Sequence, residues 1–205
     1  MPRPLRTATV LLALLAAPGV ALATTIDFEA FADAQNLHGV NLGGVTVTNP
    51  VSMNVEIFDN RFGVAFHSAT KAIGSFATPT ASSFNPMVFT FDVAQTMVSL
   101  WGGDAGNDTD SWTLNAYDAA VGGNLVATAF SGLFDGNPYV QLLVSAPTIW
   151  RVEAVWNGPD CCGVGYDDLT FDVDAVDPIP EPATLLLLGL GLTGLGLRRR
   201  NAPRD

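Results

Sequence analysis

The chain is short of the residues that build most catalytic and nucleic-acid-binding sites. Its two cysteines, Cys161 and Cys162, are neighbours in a sequence of 205 residues. Adjacent cysteines sit closer together than an ordinary structural disulfide allows. With no third cysteine, a disulfide-stapled scaffold, a CxxC redox pair and a cysteine-rich zinc site are excluded. Three states stay open for the pair: a strained vicinal disulfide, a bridge to another molecule, or two thiols. Histidine occurs twice, at His38 and His67, and His67-Ser68 has no partner pattern in the sequence. Neither G-x-S-x-G nor H-E-x-x-H is present, so the common nucleophile and zinc-hydrolase signatures are missing.

Positive charge is also scarce where it counts. Residues 24–180 hold only Arg61, Lys71 and Arg151 against eighteen acids, a balance of about −15; the formal −11 of the whole chain is softened by arginines at its two ends. A body this acidic repels nucleic acid and anionic lipid. It suits cations, calcium first, because carboxylates are calcium's preferred ligands. The same acidity keeps an exported protein in solution.

Long hydrophobic runs are confined to the extremities. Arg3 and Arg6 precede an apolar stretch at 10–17, and Ala21-Leu22-Ala23 offers small residues where a signal peptidase reads. This is a secretory signal, cut before Thr24. At the other end, residues 183–197 are uncharged and Leu/Gly-rich and are followed by Arg198, Arg199 and Arg200. As a helix that run is roughly 22 Å long, against a hydrocarbon core of about 30 Å. The arginines stop on the cytoplasmic side, so the span is a short, temporary hold in the inner membrane. Pro180-Glu181-Pro182 stands just before it, and proline keeps such a segment extended and non-helical.

Pro180-Glu181-Pro182, the Leu/Gly span and the arginine cluster together resemble the PEP-CTERM sorting signal of exported proteins of Gram-negative bacteria. The resemblance covers about the last 27 residues. It implies recognition by an exosortase, a membrane-embedded cysteine transpeptidase, cleavage near Pro180 to Pro182, and delivery to the cell surface or beyond. It also implies a setting of exopolysaccharide and biofilm production.

Between the signals the sequence alternates with a period of two. Met87, Phe89, Phe91 and Val93 fall on one face, and Val88, Thr90 and Asp92 on the other. The same pattern runs through 26–29, 45–48, 55–57, 112–116, 150–156 and 169–173. Such alternation marks strands with one buried face. Gly43-Gly44, Asn49-Pro50, Gly102-Gly103, Gly122-Gly123, Asn137-Pro138 and Gly158-Pro159 break the runs. The expected fold is all-β, an antiparallel β-sandwich of jelly-roll type, with a signal helix before it and a short hydrophobic helix after it. The expected organisation is a signal peptide at 1–23, the sandwich at 24–174, a Pro-rich linker with the PEP motif at 175–182, and the sorting tail at 183–205.

Two acidic clusters are candidate sites. Asp27-Phe28-Glu29 opens the body and Tyr166-Asp167-Asp168-Leu169-Thr170-Phe171 closes it. Alternation puts Asp27 with Glu29, and Asp167 with Leu169 and Phe171 on the core side. These short motifs resemble the first and last strands of carbohydrate-binding-module-like and galactose-binding-like sandwiches. That resemblance implies a structural calcium held by Asp27, Glu29, Asp167 and Asp168. A second candidate is the loop holding Asp104, Asn107, Asp108 and Asp110, whose oxygens sit among glycines; Asx-turns explain it equally well. Tyr117 and Tyr139 lie beside turns and are candidate stacking platforms for sugar rings, while the four tryptophans and Tyr166 fit a core. The expected role is a non-catalytic module that binds glycan or matrix material. A calcium-bridged surface coat is the alternative, and a polysaccharide hydrolase the third reading.

Overall fold

Alternation decides which side of a strand is buried, and the computed structural model shows how those sides meet. It describes residues 22–59, 67, 68, 70–74, 86–103, 109–135, 139–157 and 165–173. Its strands are β1 (Leu22–Ile26), β2 (Val40–Asn41), β3 (Val45–Thr48), β4 (Glu56–Asp59), β5 (Lys71–Gly74), β6 (Met87–Gly103), β7 (Thr109–Asp110), β8 (Trp112–Tyr117), β9 (Leu125–Phe130), β10 (Phe134–Asp135), β11 (Tyr139–Trp156) and β12 (Gly165–Val173). Every pairing is antiparallel. The body runs from Ala21 to Asp177 as one compact unit. Among the described residues no helix is long and apolar enough to cross a membrane. The expected terminal helices, the signal-cleavage residue Ala21 and the sorting motif lie outside the described residues.

The strand order is β4-β5-β12-β6-β11-β8-β9, with β1 beside β12, β3 beside β6 and β2 beside β3. β6 and β11 belong to both layers of the sandwich. Their mutual pairing shifts register on either side of Gln95–Ile149. Before the shift, residues of β6 pair with β3; after it, residues of β6 pair with β12. One layer is therefore β2-β3-β6-β11-β8-β9 and the other is β4-β5-β12-β6-β11, with β1 extending along β12. β10 and β7 pair separately.

The core lies between these layers. Val45, Val47, Phe89, Leu114, Val152 and Ala154 fill one side, and Val98, Leu100, Leu142, Ile57, Ile73 and Leu169 the other. Phe91 meets Phe171 across the interior at 5.2 Å, and Trp112 meets Tyr166 edge-on at 5.6 Å. The expected face of Met87, Phe89 and Phe91 is buried, but Val93 is 45% exposed. The register shift is the reason: the core-facing residues of β6 change from odd to even positions, so Val98 and Leu100 take over.

The first and last strands lie side by side, from Leu22 opposite Val173 to Ile26 opposite Leu169. Cleavage before Thr24 would keep the pairs of Thr24, Thr25 and Ile26 and remove those of Leu22 and Ala23. The layers approach closely at Gly102, where an added Cβ would stand 2.8 Å from Cε2 of Trp112. Gly102→Ala should therefore overpack the core and lower unfolding free energy by about 1–3 kcal/mol. Urea denaturation checks this through a lower midpoint at unchanged slope.

Candidate functional site

The first acidic motif does not continue the first strand. β1 stops at Ile26, and Phe28 takes φ 60 with its ring wholly buried. A non-glycine residue pays steric strain at positive φ, and burial of a large aromatic side chain offsets it. The turn this creates is closed by Asp27 Oδ1, which accepts from the Glu29 amide at 3.2 Å. Asp27 and Glu29 thus leave the strand face on which alternation had placed them together.

Glu29 turns to the segment that carries His67, Ser68, Thr70 and Lys71. Its Oε1 accepts from the amides of Thr70 and Lys71 at 2.8 and 2.7 Å, and its Oε2 from the Thr70 hydroxyl at 3.0 Å. Lys71 Nζ returns to the carbonyls of Glu29 and Phe31 at 2.9 and 2.6 Å. The last strand grips the same segment. Asp167 Oδ2 accepts from the Ser68 amide at 2.8 Å, and the Ser68 hydroxyl lies 3.1 Å from both carboxylate oxygens. The Asp168 carboxylate meets His67 Nδ1 at 2.5 Å. The His67 ring stacks on Trp101 with centroids 3.5 Å apart and planes 15° apart. Sequence patterns gave His67 no partner because its carboxylate stands 101 positions away.

Asp167 is buried, but on the side opposite to the one alternation predicts. β12 shifts register between Asp167 and Thr170, and Asp168 has φ 45. Tyr166 faces the core before this bulge, and Leu169 and Phe171 face it afterwards. Asp167 pairs with Trp101 and shares that outer face, where His67 and Ser68 cover both. Asp168, at the bulge itself, is aimed at His67.

Electrostatics follow from these contacts. Burial lifts the Asp167 carboxyl to about 6; the Ser68 and Asp168 amides oppose that rise, the Asp168 charge adds to it and the Ser68 hydroxyl opposes it. For Glu29, burial acts upward but is outweighed by the Thr70 and Lys71 amides, the Thr70 hydroxyl and the Lys71 charge, so its pKa falls below 4.5. The two groups oppose each other in stability. The contribution of Asp167 is fully present below its unfolded value near 3.8 and is lost as pH rises through about 6. That of Glu29 is present above 4.5 and is lost as pH falls through its lowered value.

Asp27, Glu29, Asp167 and Asp168 are thus brought to one corner by a shared segment. A calcium ion needs carboxylate oxygens turned to a common centre. Here the oxygens of Glu29 and Asp167 are turned to amide and hydroxyl donors, and among the described residues no three of His, Cys, Asp and Glu are grouped to hold a metal. This arrangement does not fit a bound calcium. The Ser68 hydroxyl and the His67 ring are not joined into a serine–histidine pair. Asp168 occupies His67 Nδ1, and the Ser68 hydroxyl is directed at the Asp167 carboxylate rather than at a histidine.

The other candidates are dispersed. Asp110 is buried in β7, while Asp104, Asn107, Asp108, Cys161 and Cys162 lie outside the described residues. The guanidinium of Arg151 covers the Tyr117 ring at 4.2 Å, and the Tyr117 hydroxyl bonds Glu153 at 3.2 Å. The Tyr139 hydroxyl is buried against Gly165. Trp112, Trp156 and Tyr166 are core residues, as their alternation implies.

The body is an antiparallel β-sandwich with its first and last strands adjacent. Residues 178–200, beyond it, match the PEP-CTERM protein-sorting motif. That motif marks an exported protein held at the membrane by its C-terminus before exosortase processing. No curated protein matches the chain. Among solved structures it is similar to the K2 cleaved adhesin domain of Lys-gingipain, with 13% identity, a TM-score of 0.49, and coverage of 74% of this chain and 100% of that one. The K1 cleaved adhesin domain of Lys-gingipain from Porphyromonas gingivalis W83 gives 13% identity, a TM-score of 0.41 and coverage of 75% and 99%. A Clostridium thermocellum xylanase 10B structure of CBM22-1 and GH10 modules gives 11% identity, a TM-score of 0.40 and coverage of 68% of this chain and 28% of that one.

Ser68 tests the corner. Removing its hydroxyl leaves the buried Asp167 carboxylate one donor short. Ser68→Ala should cost about 1–3 kcal/mol at pH 7.5, and less near pH 4, where Asp167 is protonated in the folded state. Chemical denaturation at the two pH values reads the difference; equal losses would remove Asp167 as the cause.

Proposed function

We propose that the chain is an exported envelope protein whose acidic sandwich is delivered outside the inner membrane by signal peptidase and an exosortase. There it acts by binding or assembly rather than by turnover. The observation that carries this reading is the PEP-CTERM motif at 178–200, set directly after a body that ends at Asp177. The binding of the Ser68 hydroxyl to Asp167, away from the His67 ring, supports the non-catalytic part. Exopolysaccharide at the cell surface is the proposed binding material, in keeping with the setting of that sorting signal. A second reading, a coat bridged by calcium between copies, draws on the excess of acids over bases in the body.

Intact-mass measurement of the protein from exporting cells tests the route. The expected product begins at Thr24 and ends close to Pro180–Pro182. In cells without an exosortase the arginine-terminated tail should remain and the protein should stay in the inner membrane. A tail retained in cells with a working exosortase overturns the sorting account. Glycan-array binding with and without calcium then separates the two roles. Binding unaffected by EGTA supports the glycan module, whereas no binding together with calcium-driven association supports the coat.

A further inference from the structure

The two ends of the strand order are treated differently. At one end the outer side of β4 is covered: Ala34 N donates to Ile57 O at 2.9 Å, Ile57 N to Gln35 O at 2.9 Å, and Leu37 N to Val55 O at 2.6 Å. At the other end, among the described residues, β9 pairs with β8 alone. A strand left open in this way is a template for another strand, and proteins ordinarily guard it with charge, proline or a cover. β9 has no charge or proline and, among the described residues, no cover; its pairing with β8 shifts register between Ala127 and Leu125. Residues 119–134 contain no Asp, Glu, Lys, Arg or Pro, within a body that carries about −15. The stretch is also apolar at its surface: Val126 is 38% exposed, Leu125 54%, Phe130 60%, Leu133 76% and Val121 89%.

We propose that β9 is a self-association edge, on which the β9 strand of a second copy of this chain pairs antiparallel. The sequence of the strand is complementary to itself. Ala127 and Ala129 turn inward against the core, while Thr128 and Phe130 are exposed, as is Val126 at the register shift of β9 against β8. About a twofold axis at Thr128, Val126 of one copy stands opposite Phe130 of the other, twice, and Thr128 stands opposite Thr128. Aromatic pairs with β-branched residues are among the stabilising cross-strand combinations. Charge permits contact at the same place. Two strongly acidic bodies repel one another, and this uncharged run lets them approach with their acids held apart. The flanking acids are engaged locally, Asp118 with Asn124 and Asp135 with Thr109. An edge-to-edge contact of one strand is smaller than a standard protein–protein interface. This inference stands apart from the sorting and glycan readings, since it needs neither.

The test is sedimentation equilibrium of the exported protein with its natural ends, in EGTA, at about 0.05 M and about 0.5 M NaCl. The wild type should dimerise, and more tightly at the higher salt because screening relieves the mutual repulsion. Two double variants address the geometry. Val126→Glu with Phe130→Glu sets like charges opposite each other and should weaken dimerisation roughly tenfold or more. Val126→Lys with Phe130→Glu sets opposite charges across the same axis and should dimerise, now more weakly as salt rises. Both variants change the same two exposed positions, so loss of folding would affect them alike, and melting curves report it. If they unfold, hydrogen exchange of the wild type decides: β9 amides should slow as protein concentration rises. A wild type that is monomeric throughout, two variants that behave alike while folded, or β9 exchange independent of concentration overturns the proposal.

Discussion

The Asp167 carboxylate has no access to water, and the corner that joins the ends of the body is organised around that fact. A buried carboxylate is tolerated only with donors close by. The donors come from the Ser68 amide and hydroxyl and from the next residue's own amide. Supplying them requires the segment of His67 and Ser68 to lie across the outer face of β12 and β6. The same segment then offers its Thr70 and Lys71 amides to Glu29, and His67 comes to rest on Trp101 beside Asp168. One buried charge therefore ties together the turn after the first strand, a loop in the middle of the sequence and the last strand. Hydrogen bonds to a charged group are each worth about 1.5–3 kcal/mol. That is comparable to the charge-burial cost they oppose, so the corner is a balance rather than a large source of stability.

Alternation in the sequence was enough to read the sandwich, and insufficient where the chain departs from a regular pleat. β3 and β8 alternate without interruption, and each apolar position read from them is buried: Val45 and Val47, then Trp112, Leu114 and Ala116. β6 and β12 do not. A bulge inserts a residue and turns every later side chain to the other face. Composition does not announce a bulge, because Asp168 adopts its positive φ under tertiary constraint and no glycine marks the place. The parity argument accordingly brought Asp167 to a buried position on the wrong side. It also placed Val93 in the core, although β6 changes face before Val98.

The candidate site was legible in part for a related reason. The acids at both ends of the body were visible as a pair of clusters, and the adjacency of the first and last strands does bring them to one corner. What the sequence hid was the third participant. His67, Ser68, Thr70 and Lys71 carry no spacing that marks them, because they act mainly through backbone amides and through partners far along the chain. Amide donors are present in every residue except proline, so no residue type identifies the segment that will use them. Carboxylate clusters alone point toward a cation, and the identity of the opposing donor decides otherwise.

The distribution of charge links the corner to the rest of the surface. Several acids of this body act as local acceptors: Asp27 closes a turn, Asp92 receives Asn41, Asp118 receives Asn124, and Asp172 receives Thr96. Acids used in this way terminate turns and strand ends, so negative charge gathers where strands begin, end or bulge. β9 lies away from such a duty along its open side, and its sequence is correspondingly neutral and apolar. For a protein routed out of the cell, the acidic body favours solubility, and an uncharged edge such as β9 survives within it. An approach along β9 keeps the acids of two copies apart. The repulsion that keeps the protein dispersed therefore also favours association along uncharged strand edges such as β9.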